Sequence, residues 1–117
     1  MYMILEIATL QVKPGMTNEF EHNFIIASKI ISKIKGYLKH ELQKCVEDTN
    51  KYVLLVQWET LEDHTIGFRE SEEYKEWKEL LHHFYDPFPT VEHFEMITYT
   101  ERTPIIETTA PRNLKEL

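Results

Sequence analysis

Six histidines and one cysteine are the side chains best suited to chemistry near neutral pH. The densest group is His82-His83-Phe84-Tyr85, with Asp86 directly after it and His93 and Glu95 further on. Adjacent helical residues point about 100° apart, so His82 and His83 cannot both face one cavity. His93 and Glu95 would share one face of a strand. A metal needs three or four convergent N, O or S ligands, and His82, Asp86, His93 and Glu95 fall at no recognised spacing. No metal site is expected. Tyr85 and His93 also fit a plainer role, satisfying each other where helix meets strand. Cys45 stands alone, which excludes an intrachain disulfide and a paired-cysteine zinc or redox motif. With 3 glycines and 5 prolines there is no glycine-rich phosphate loop.

These groups must be positioned by a short chain. At 117 residues it makes one domain, with 42% apolar and 28% charged residues, an ordinary globular balance. Its net charge of −7 repels phosphate backbones, so no nucleic-acid partner is expected. No apolar run approaches the ~20 residues that span a bilayer, so no membrane partner is expected. The opening Met-Tyr-Met-Ile-Leu-Glu lacks the features of a secretion signal, and a cytoplasmic location is expected.

Ile4 to Val12 is apolar and β-branched and reads as a strand; Lys13-Pro14-Gly15 is a turn. Thr17 fits a helix N-cap, and Phe20, Phe24, Ala27, Ile31 and Ile34 form one helical stripe that Gly36 ends. Tyr37 to Lys44 and Tyr52 to Glu59 read as strands around a polar loop. Thr60 and Asp63 resemble a capping box for a short helix reaching about Arg69. Ser71 restarts a helix with Tyr74, Trp77, Leu81 and Phe84 on one stripe, and Asp86-Pro87-Phe88-Pro89 ends it. Val91 to Tyr99 reads as the last strand. Residues 1–100 form the folded domain, and 101–117 read as a tail or dimer arm.

The order β-α-β-β-α-β predicts an α+β, ferredoxin-like split βαβ fold with a four-stranded antiparallel sheet. Strand one carries Leu5 and Ile7 on one face and Ile4, Ala8, Leu10 and Val12 on the other. Strand three carries Val53 and Leu55 against Tyr52, Leu54, Val56 and Trp58. Helices cover one face only, so the other calls for a second subunit packed sheet to sheet, or for the tail folded back over it. The tail's adjacent apolar pair suggests an arm across the partner, with Ile105 or Ile106 in the dimer seam; a frayed end is the alternative.

The Val-Lys-Pro-Gly turn, Gln57-Trp58-Glu59, and the stretch from His64 to Tyr85 (HTIGFRESEEYKEWKELLHHFY) resemble the antibiotic biosynthesis monooxygenase family, over about residues 3 to 100. That resemblance implies a dimeric α+β barrel: a homodimer with a small-molecule cavity between helices and sheet in each subunit. Its anthrone-oxidising members carry a tryptophan that Trp58 matches. Where they carry an asparagine, a tyrosine and an arginine, this chain has Leu54, His64 and Lys78. Its haem-degrading members carry an iron-ligating histidine where this chain has Lys78, which counts against haem chemistry.

The activity implied is a cofactor-independent monooxygenase acting on a small aromatic, quinol-like or polyketide-like substrate. Triplet O₂ reacts slowly with closed-shell molecules, so without a cofactor the substrate must donate the electron as an enolate or phenolate. No cofactor is expected. A protein helps by deprotonating the substrate, stabilising the anion and excluding water. His64 suits the base, Trp58 offers an indole N–H, and Lys78 suits the anion. Leu54, Phe68, Trp77, His82 and Tyr85 are expected to bind substrate, and Phe84 could add to the wall. Each has a plainer alternative: Trp58 as core packing, His64 as a solvated surface residue, Lys78 pointing into water. A non-catalytic ligand-binding or stress-response dimer of the same fold is the competing reading of the whole.

Overall fold

The structure, a computed structural model, describes residues 3–104. The chain runs β1 (Ile4–Gln11), α1 (Thr17–Ile31), β2 (Tyr37–Lys44), β3 (Lys51–Trp58), a π-helical turn (Asp63–Phe68), α2 (Glu72–Leu81), a 3-10 turn (His82–Phe84) and β4 (Val91–Glu95). The sheet order is β2-β3-β1-β4, with every neighbouring pair antiparallel. This is the α+β, ferredoxin-like arrangement that the element order predicts. No helix among the described residues is long and apolar enough to cross a membrane.

Strand alternation decides the core. Ile4, Glu6, Ala8 and Leu10 on β1 point to the helices and are buried, as are Tyr52, Leu54, Val56 and Trp58 on β3. Phe20, Phe24, Ala27 and Ile31 from α1, and Trp77 and Leu81 from α2, close over them. Phe84 belongs to this core, its ring edge-on to Phe20, and does not wall the cavity described below.

Several boundaries differ from the sequence expectation. Thr17 is the first residue of α1 rather than its cap; Met16 holds that place with no side-chain cap bond. The helix stops at Ile31, short of Gly36. Lys33 and Ile34 donate their N–H groups to the carbonyls three residues back, which tightens the chain before β2. Gly36 then takes φ +86°, and a Cβ there would overlap the Asp63 carboxylate, so glycine is demanded twice over. The final strand ends at Glu95 and does not reach Tyr99. Its last ladder partner is Ile4, the first residue of β1. Ile105 and Ile106, and with them the expected arm, lie outside the described residues.

The open face of the sheet has an apolar centre on β1 and β3. Leu5, Ile7, Val53 and Leu55 are only half-buried. Exposed Phe94 and Met96 lie beside Leu5, and Glu41, Gln43 and Glu92 stand opposite Leu55, Val53 and Ile7 in register.

Candidate active site

The site grows from one violation of the β1 pattern. Glu6 sits between Ile4 and Ala8 on the inward row, and only 6% of it is exposed. Across the ladder it faces Val56 on one side and His93 on the other. A buried carboxyl needs donors. The Trp58 indole donates Nε1–H to Glu6 Oε1 at 2.9 Å, and His64 Nε2 stands 3.4 Å from the same oxygen. No protein donor addresses Oε2 among the described residues.

His64 reaches this point because of the π-helical turn. Thr60 and Asp63 form the expected capping box: the Asp63 carboxylate accepts from the Thr60 N–H at 3.2 Å, and Thr60 Oγ1 accepts from the Asp63 N–H at 3.1 Å. The wider turn then closes through the Arg69 N–H to the His64 carbonyl, 3.1 Å. Such turns recur at functional sites because the extra residue re-aims side chains. The imidazole is stacked on the Trp58 indole, ring centres 5.3 Å apart and planes within 20°. Its Nδ1 lies 2.7 Å from His93 Nε2 on β4. Glu6, His64 and His93 thus form a file from the interior to the outer strand.

Burial governs their charges. It pushes the Glu6 carboxyl up to about 7, against the Trp58 N–H and then the Arg69 cation, which pull downward. Burial, then Arg69 and His93, pulls His64 down to about 3. The expectation that His64 titrates near neutrality is therefore corrected, and so is the alternative of a solvated surface histidine: the side chain is 3% exposed. At neutral pH His64 is neutral, and Glu6 is the group that gains and loses a proton. A neutral imidazole carries one N–H. Opposite a Glu6 carboxylate that hydrogen belongs on Nε2, and Nδ1 then accepts from His93.

Glu6 and His64 border a cavity of about 440 Å³ between sheet and helices, within the ~300–1,000 Å³ range of ligand sites. Of the residues expected to bind substrate, Leu54, Phe68, Trp77, His82 and Tyr85 all line it. Trp58 does not; it lies behind Glu6 and His64, and its contribution passes through them. Lys78 is not brought to the site. It is exposed on α2, its Nζ 5.5 Å from the Tyr74 ring centre, because the stripe that puts Trp77 and Leu81 inward turns Lys78 outward. Three polar lining residues were not anticipated from sequence: Glu6, Arg69 and Tyr74. Arg69 and not Lys78 is the cation at this cavity.

The relatives agree with the architecture. The antibiotic biosynthesis monooxygenase family matches residues 3–80. The chain is 62% identical to the uncharacterised protein YczJ of Bacillus subtilis over 93 residues, 80% of this chain and 98% of YczJ. A Bordetella bronchiseptica protein proposed to be an antibiotic biosynthesis monooxygenase superposes with a TM-score of 0.80 at 31% identity, covering 84% of this chain and 100% of its own. SnoaB, a cofactor-independent oxygenase from Streptomyces nogalater, shares the fold with a TM-score of 0.62 at 18% identity, over 86% of this chain and 97% of SnoaB. From the match over residues 3–80 and the 31% identity across a shared structure, this chain belongs to the antibiotic biosynthesis monooxygenase family.

Proposed function

We propose that the protein is a cofactor-independent monooxygenase that oxidises an activated carbon of a small aromatic, quinol-like or polyketide-like substrate with O₂. The observation that carries this reading is the Glu6 carboxyl, buried at the wall of the cavity and poised at about 7. A base with a pKa near the working pH is the most effective proton acceptor. Glu6 Oε2 takes a proton from a CH₂ group activated by a carbonyl. The resulting enolate passes one electron to O₂, and the substrate radical and superoxide join through a new C–O bond. Glu6 returns its proton to the peroxide. Loss of the second C–H proton with cleavage of the O–O bond then gives a ketone and water. One O₂ is consumed per CH₂ converted to C=O, and no external reductant is needed. Phe68 and Trp77 hold the aromatic body.

Oxygen uptake on a panel of anthrones and hydroquinones, without flavin, tests this. The expected result is one O₂ consumed per ketone formed, with label from ¹⁸O₂ in the new carbonyl. Uptake no faster than buffer across the panel would turn the reading to a binding protein of the same fold.

The proposal includes a cytoplasmic homodimer. Its support is the apolar centre of the sheet's open face, with Phe94 and Met96 exposed beside Leu5. Sedimentation at micromolar concentration should give a mass near twice 14.1 kDa. A stable monomer would contradict it.

A further inference from the structure

The cavity has two ends, and the register along β1 sets their separation. Glu6 faces His93, Ala8 faces Val91, and Val12, just past the strand, bridges to Tyr85. Six residues of extended chain from Glu6 to Val12 span about 20 Å. The lining rings divide accordingly. His64 and Phe68 stand at the Glu6 end, and His82, Tyr85 and Phe88 at the other. Tyr74 joins the two groups, its ring centre 5.1 Å from Phe68 and 6.0 Å from His82. His82 is the hub of the far group: Phe88 lies edge-on to it at 4.9 Å, and Tyr85 is 6.1 Å away. Burial, then Lys78, lowers the His82 imidazole from its ordinary value, so at neutral pH it is an uncharged ring.

Phe88 is the uncovered member of this group, 62% exposed. A single exposed apolar side chain is ordinary. This one also lines the cavity, so it marks where the far end opens. The chain presents it there without pairing. Asp86 donates its N–H to the Gln11 carbonyl at 2.9 Å, and Val91 enters the ladder opposite Ala8. Between them Pro87, Phe88 and Pro89 make no loop backbone hydrogen bond among the described residues. A proline on either side of Phe88 fixes φ and stiffens this strap. An apolar ring largely in water gains by packing on a second ring, edge-on or offset. We propose that His82, Tyr85 and Phe88 form a distal subsite for a planar aromatic group, and that Phe88 makes the cavity select elongated substrates over single-ring ones. The reacting end of the substrate lies at Glu6 and its far ring packs against Phe88. A lone six-membered ring held at Glu6 leaves the distal subsite empty. This inference rests on the proposed function only in placing the reacting end at Glu6.

The test compares phenol with 4-phenylphenol, which adds a second ring along the same axis. The hydroxyl stands in for the reacting end, and neither compound needs O₂ to bind. Affinities are read by ligand-observed proton NMR with the full-length protein. Wild type should bind 4-phenylphenol at least about tenfold more tightly than phenol, the scale of burying much of one phenyl ring. Phe88→Ala should weaken 4-phenylphenol by about tenfold and leave phenol nearly unaffected. Phe88→Leu keeps apolar bulk without the ring and should weaken it by about threefold. Because Phe88 is exposed, both variants should melt close to wild type. A second measurement needs only the wild type and Phe88→Leu: nuclear Overhauser contacts from the distal ring of 4-phenylphenol to phenylalanine ring protons, lost in the variant. Absence of binding, or equal affinity for the two phenols, would overturn the proposal. So would unchanged 4-phenylphenol affinity in folded Phe88→Ala, or a bound distal ring that makes no contact with Phe88. Phe88-dependent binding without oxygen uptake leaves this inference standing while the oxygenase reading falls; oxygen uptake with Phe88-independent binding does the reverse.

Discussion

Replacing Glu6 with glutamine should lower oxygen-uptake turnover by about 10²–10⁴-fold, the range for loss of a general base. The same change should make the protein more stable above pH 7. Glutamine keeps an oxygen for the Trp58 N–H and loses only the titrating proton. A carboxyl whose pKa rises from 4.5 to about 7 on folding holds its proton more tightly when folded. Below pH 4.5 both states are protonated and nothing is lost. As pH rises from 4.5 to 7 the unfolded chain releases its proton first, and stability falls. At 1.36 kcal/mol per unit, the full penalty above pH 7 is about 3 kcal/mol. His64 acts in the opposite sense. Its folded pKa is lowered from 6.5 to about 3, so its penalty is absent above 6.5 and grows as pH falls. The two slopes oppose each other between pH 4.5 and 6.5, and only the Glu6 penalty persists at pH 8. Glu6→Gln should therefore melt higher than wild type at pH 8 and show little gain at pH 5. Equal melting at pH 8, with turnover intact, would remove Glu6 from the centre of the site.

Trp58→Phe should have the second largest effect, and a diagnostic one. The phenyl ring fills much of the indole's space but cannot donate to Glu6. Hydrogen bonds to a charged group contribute about 1.5–3 kcal/mol, equivalent to about 1–2 pKa units. Because the indole N–H favours the carboxylate, removing it should move Glu6 further above 7. Turnover at pH 7 should then fall about 5–50-fold, and the acid limb of the pH–rate profile should shift to higher pH by the same 1–2 units. Near pH 9 the variant should approach wild-type turnover. If Trp58 only packs the core, the variant would melt lower with an unmoved profile. His64 faces the indole at 5.3 Å, so lost stacking will cost some stability in either case; the profile is the deciding readout.

The sequence carried the architecture well because alternation and helical stripes are strong signals. The two faces of β1 and β3 come out as their apolar residues divide them, and Thr60 and Ser71 cap where their side chains imply. Reciprocal local bonds need only neighbours, so they are readable in one dimension. The active carboxyl was also within reach. Glu6 shares parity with Ile4, Ala8 and Leu10, and a lone acid in an apolar row calls for a buried partner. A pattern made of apolar residues alone does not include the acid that breaks the row. His64 was chosen by residue type, but its proton affinity depends on burial against Trp58 and Phe68, which spacing does not report. Lys78 and Arg69 exchanged places for a geometric reason. Lys78 is reached by an ungapped count of twenty residues from Trp58, and such a count does not report direction. The α2 stripe that puts Trp77 and Leu81 inward turns Lys78 outward, whereas Arg69 directly follows the π turn Asp63–Phe68 at the cavity. The cavity wall of Phe68, Trp77, His82 and Tyr85 was legible because these rings follow one another along the π turn, α2, the 3-10 turn and its end.

The central claim is that Glu6, held by Trp58 and beside a neutral His64, is the base of this cavity and is half-ionised near neutral pH. The most direct measurement is the ¹³C NMR titration of the Glu6 side-chain carboxyl in the full-length protein, assigned by its loss in Glu6→Gln. The structure predicts a midpoint of about 7, moving upward in Trp58→Phe. A midpoint at the ordinary carboxylate value, unaffected by Trp58→Phe, would contradict it.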